Sequence, residues 1–241
     1  MIRGVSLKRG EVVVYESGIP FIVLSSGSVS AVGAISGITA LPIAYAHAYC
    51  WFPANALATT IAAGWHYCTF STTTAGTAYL NTYTSGVPTV PASPTAVTDG
   101  KGAFTGVTGE IFGPTVPIGA GAMGVNGCIA FHFITRWNAT AGSRTTQVRF
   151  SGNAGTIFVT SALTNQGGEE WRGSIRNRGS ESVQIGKAIY VDVGQTLRTA
   201  APVAGAIDTT VATTLVISLN KAVATDYVVM EGASVGVRRA A

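Results

Sequence analysis

A chain of 241 residues with 47% hydrophobic and 11% charged residues, against roughly 25% charged in ordinary soluble domains, is too apolar for intrinsic disorder and has little charge to cover an isolated monomer. The net charge of +4, from 15 basic and 11 acidic side chains, lies in small clusters that accompany no nucleic-acid-binding signature, so a nucleic-acid reader is not expected. The length suits one main β domain with a short appendage, and charge depletion predicts that other subunits cover part of its surface.

Residues 1–20 differ from the rest, with Arg3, Lys8, Arg9, Glu11 and Glu16 around the apolar run 12–15. They read as an N-terminal anchoring arm or an edge strand, with Arg3, Lys8 and Arg9 as candidate anchoring residues. No secretory signal is visible, which predicts synthesis in a cytoplasm. Residues 21–241 read as the main domain.

Between Glu16 and Asp99 there is no Lys, Arg, Asp or Glu. A membrane span would need about 20 predominantly apolar residues, and Gly27, Gly33, Gly37, Pro42, Pro53 and Gly64 break this stretch, so no membrane insertion is expected. Residues 54–63 make the one plausible short helical turn; the remainder reads as short strands separated by Gly, Pro, Asn and Ser. Residues 88–109, with Pro91, Pro94 and Asp99-Gly100, read as a long exposed loop of the kind that often carries function.

The clearest strand is 128–137. At period two, Ile129, Phe131, Phe133 and Trp137 share a core face, while Cys128, Ala130, His132, Ile134 and Arg136 share a second face apolar enough to pack on another subunit. Residues 144–150 look like its hairpin partner and 156–163 continue the meander. Residues 170–175 pair with 182–188, and 215–219 and 227–237 close the domain. Eight or more short antiparallel strands predict an all-β, two-sheet antiparallel sandwich of jelly-roll type with a short N-terminal arm.

Histidines 47, 66 and 132 lie in different elements with no metal or catalytic spacing, and the three cysteines form no C-x-x-C pair, so no metal, cofactor or disulfide is predicted. Glu169-Glu170 beside Trp171 is the nearest approach to a glycosidase pair. Adjacent strand residues point to opposite faces, however, which favours a solvated strand end and a protein that is not an enzyme. Trp171, Arg172, Arg176 and Arg178 remain as candidate contacts for a glycan or a protein partner, and Trp65, Tyr67, Tyr79, Tyr83 and Trp137 as further aromatic faces.

The stretches GIPFIVLSSGSV (18–29), YCWFPANAL (49–57), AAGWHYCTFSTTTAGTAYLNTYTSGVPTVPASPTA (62–96), GAFTGVTGEIFGPTVPIGAGAMGVNG (102–127) and TDYVVMEGASV (225–235) together resemble a family of tailed-bacteriophage and prophage virion proteins of tail-fibre, head-fibre or other structural kind. The resemblance implies a β-sandwich, a homotrimer, and a place in the virion among other virion proteins, as a capsid decoration, head fibre or tail fibre; it brings no catalytic residues. No heptad stalk precedes the sandwich, which favours a compact protein seated on a capsid or baseplate over a fibre tip. The alternative is an adhesin that recognises host surface glycan through the 88–109 loop.

Overall fold

The computed structural model describes residues 11–29, 34–35, 45–56, 61–74, 77–85, 95–96, 102–138, 142–163, 167–192 and 197–240. Among them the chain is all β, with nineteen strands and no helix. The first nine are β1 (Glu11–Ser17), β2 (Phe21–Val23), β3 (Gly27–Val29), β4 (Ala34–Ile35), β5 (His47–Phe52), β6 (Gly64–Thr74), β7 (Thr77–Ser85), β8 (Thr95–Ala96) and β9 (Gly102–Phe104). Then follow β10 (Gly109–Ile118), β11 (Cys128–Trp137), β12 (Arg144–Phe150), β13 (Thr156–Leu163), β14 (Gly168–Asn177), β15 (Gln184–Asp192), β16 (Leu197–Thr199), β17 (Val203–Gly205), β18 (Thr213–Lys221) and β19 (Val228–Arg238).

Two sheets form the sandwich. One has the order β10-β18-β12-β13; in the other, β1, β19, β11, β14 and β15 lie side by side. Taking β1, β10, β11, β12, β13, β14, β18 and β19 as the eight principal strands, the two interleaved orders β1-β19-β11-β14 and β10-β18-β12-β13 are those of a jelly roll. Strand β15, with β16 and β17 on its far side, widens one sheet.

The alternation of β11 drives this packing. Ile129, Phe131, Phe133 and Trp137 are buried, with Thr135 between the last two, and meet Val148, Phe150 and Phe158 of the facing sheet together with Leu215 and Ile217. Each such side chain contributes about 1.5–3 kcal/mol on leaving water.

The charge-free stretch of the sequence is an insertion between β2 and β10. It extends the larger sheet through β2-β5-β6-β7-β4-β3-β9 and builds a second core from Ile22, Leu24, Val29, Cys50, Phe52, Cys68, Phe70, Tyr227 and Val229. Phe21, Val23, Val228 and Met230 face the sandwich core, while Ile22 and Val229 face the second one. The β2/β19 corner is therefore buried on both sides, and its sequences, FIVL and YVVM, are the unbroken apolar runs that such a position demands.

Several expectations change. Strand β11 does not pair with β12; the chain leaves one sheet at Trp137 and enters the other at Arg144, and β12 pairs instead with β13 and β18. Residues 53–56 form a turn rather than a helix, residues 57–60 lying outside the described set. Within the expected 88–109 loop, Thr95–Ala96 form β8, paired with β7, and Gly102–Phe104 form β9, paired with β3, while residues 88–94 and 97–101 lie outside the described residues. One pair, β2 with β5, is parallel. Strand β1 is an edge strand paired with β19 of the same chain.

Candidate functional site

The outer face of the sheet β1-β19-β11-β14-β15-β16 holds two of the candidate residues, Arg172 and Arg176. Its register sets Glu16, Ser234, His132, Arg172, Ile189 and Thr199 in one row across six strands. Near the sheet's end, Arg238, Cys128 and Arg176 form another. The second face of β11 carries polar partners beside Ala130 and Ile134. His132 Nε2 lies 3.0 Å from Glu170 Oε1, which also accepts from Arg172 Nε and Nη2 at 3.0 and 2.6 Å. Glu231 accepts from the Tyr45 hydroxyl at 2.7 Å and from Arg136 at 3.5 Å. The hydrogen bonds from Arg172 hold the Glu170 carboxyl below its ordinary range against partial burial, and His132 adds to them.

Trp171 is fully buried and does not take the contact role its sequence suggested. It is stacked between Phe133 and Tyr190 at centroid distances of 5.5 and 4.5 Å, because its strand position has the inward parity of Ile175. Trp65, Tyr67 and Trp137 are buried too; the side chains of Tyr79 and Tyr83 lie outside the described set. Arg172, Arg176 and Arg178 are exposed. Arg3, Lys8 and Arg9 lie outside the described residues.

Glu169 and Glu170 point to opposite faces, but Glu169 is not at a solvated strand end. It is buried, accepting from Trp171 Nε1 at 2.9 Å and Ser161 Oγ at 3.1 Å. Burial pushes its carboxyl up to about 7, with those two donors opposing. Across the ladder lies Asp192, paired at 3.1 Å with Arg198 of the edge strand β16.

A second polar cluster, also missed in the sequence, ties the insertion to the sandwich. Arg144 meets Asp226 at 2.5 Å with both side chains buried, and Asn138 donates to Asp226 at 3.0 Å. The Lys221 ammonium donates to the carbonyls of Leu24 at 2.5 Å and of Asp226. Burial pushes Lys221 down to about 8, Asp226 opposing and Arg144 reinforcing. These groups make structural crosslinks between the insertion and the sandwich.

Cys50, Cys68 and Cys128 are buried free thiols. Burial pushes the Cys68 thiol up, Cys50 reinforcing the shift, and lowers His66 against a backbone hydrogen bond to Ala62. Among the described residues no group of three or more His, Cys, Asp or Glu could hold a metal ion, and no helix is long and apolar enough to cross a membrane.

The ends of four strands bring together basic residues that are far apart in sequence. Gly179 N donates to Asn126 Oδ1, Asn126 N to the Ala240 carbonyl, and Ala240 N to the Met123 carbonyl. Arg176 and Arg178 therefore sit at the same end of the sandwich as Arg238 and Arg239.

No family model matches this sequence, and no curated protein matches it. Among solved structures, a seed lectin isoform of Lotus tetragonolobus aligns over 54% of this chain and 83% of its own at 11% identity, with a TM-score of 0.31. A likeness that slight carries no argument about ligand or role.

Proposed function

We propose that this chain is a non-enzymatic structural protein of a tailed-bacteriophage virion, exposed on the particle as a homotrimeric capsid decoration, head fibre or tail-fibre component. The observation that carries the reading is where the virion-like stretches fall. Residues 18–29, 49–57, 62–96 and 225–235 supply most of the second core and the doubly buried β2/β19 corner. Residues 102–127 lead from that insertion into the sandwich. The resembling segments thus meet in one continuous piece of architecture instead of being scattered over unrelated turns.

Trimer formation is supported by apolar side chains left open on two edge strands of the larger sheet, β1 and β16. Val12 is 65% exposed on β1 and Leu197 64% exposed on β16, with Ile189 and Val191 exposed beside the latter. Apolar strand edges of this kind invite pairing with another chain. A jelly roll alone would not support the reading, since that fold serves many functions.

The test is peptide mass spectrometry of particles purified by density gradient from the host culture, followed by cryo-electron microscopy. The expected result is stoichiometric chain in the particle, with threefold density of this shape on its exterior. A particle fraction that lacks the chain, while it accumulates free in the lysate, would refute the reading.

A further inference from the structure

We infer that the sandwich end built from Arg176, Arg178, Arg238 and Arg239 is a docking surface for an acidic protein, the means by which this chain seats on its neighbour in the assembly; this rests on the assembly role proposed above. Two short basic clusters some sixty residues apart in sequence become one patch because β14 and β19 flank β11, so that Arg176 and Arg238 stand on either side of Cys128 in one register row. Arg178 opens the turn that follows β14, its N–H bonded to the Val183 carbonyl, and Arg239 follows β19 beside Gly124.

Glu11 of β1 stands opposite Arg238 in the ladder, so Arg176, Arg178 and Arg239 carry the uncompensated charge; the other two carboxylates at this end are turned elsewhere. Glu181 reaches toward Gly121, 3.9 Å from that glycine's Cβ position, and Asp208 is turned onto the backbone and hydroxyl of its neighbour Thr210. Burying guanidinium groups without partners is costly, so a surface that covers this patch must bring carboxylates or phosphates to it.

The patch favours protein over nucleic acid. Val183, 46% exposed, lies in the turn that Arg178 opens, and Val125, 37% exposed, lies in the turn before β11 that is bonded to Ala240; both offer apolar contact that a sugar-phosphate backbone does not use. Among the described residues of these turns there is no aromatic side chain on which a base could stack. Arginine forks beside small apolar side chains match carboxylates on a protein interface.

The experiment uses the full chain and immobilised poly-L-glutamate as probe, with a 20-base-pair DNA duplex as the competing polyanion. It compares the quadruple variant R176S/R178S/R238S/R239S with the control R172S/K187S, whose charges lie elsewhere on the same sheet, after circular dichroism and melting show both folded. The expected result is salt-sensitive binding to polyglutamate, weakened about tenfold or more in the quadruple variant and about twofold or less in the control. Equal weakening in both variants would overturn the inference, as would absence of polyglutamate binding, or tighter binding of the duplex through the same four arginines. Each of these outcomes is independent of whether the chain is found in particles.

Discussion

At the residue scale, the most consequential side chain is Glu169, whose folded pKa of about 7 stands above its ordinary 4.5. A carboxyl raised in this way contributes stability that is fully present below pH 4.5 and is lost as pH rises through 7, a change of roughly 3 kcal/mol. Chemical denaturation of Glu169→Gln and the native chain at pH 4.5 and pH 8 should therefore show the variant gaining about that much on the native chain at the higher pH. A gap that does not move with pH would remove Glu169 as the cause. The buried Arg144–Asp226 pair makes a second case. Asp226→Ala leaves a guanidinium that is 3% exposed without its carboxylate, so a loss of about 3–5 kcal/mol is expected in urea unfolding. The inward direction of Glu169 and Trp171 was legible in principle, since both share the parity of Ile175. What hid it was the general preference of carboxylates for water, which two donors and an apolar surround override here.

At the element scale, strands with bulky side chains at period two were legible to the residue: β11 and β13 begin and end where alternation begins and ends. Their partners were not. Neighbouring strands in sequence usually pair, which favours a β11/β12 hairpin, but a jelly roll sends the chain across to the opposite sheet at that step. The doubly buried runs at 21–24 and 227–230 carry no alternation, so periodicity alone could not reveal that they are covered on both faces. Contact between the sheets also depends on glycines within strands. Gly186 in β15 and Gly205 in β17 lie against the ring of Phe158, which reaches across from β13. A methyl group at Gly186 would overlap that ring, so Gly186→Ala is expected to lower stability by about 1–3 kcal/mol in thermal or urea melts. Gly64→Ala, where nothing lies within 4 Å of the added carbon, should be close to neutral.

At the scale of the whole molecule, the low charge that opens the sequence has a structural counterpart. The charge-free stretch becomes an insertion with its own core, so much of that apolar content is buried within one chain and needs no partner. Of the apolar side chains left exposed, Val12 lies on the edge strand β1 and Leu197 on the edge strand β16, with Ile189 and Val191 on β15 beside it, and it is there that sister chains would cover them in the proposed trimer. In the proposed trimer, a lysine at either place, Val12→Lys or Leu197→Lys, would put a hydrated charge in the contact, and sedimentation of either variant should show a lighter species than the native chain. The most direct measurement is the mass of the purified native chain in solution by light scattering coupled to size exclusion. Association through those edges predicts three times the 24.6 kDa chain mass; a single 24.6 kDa species that stays soluble at all concentrations would contradict it.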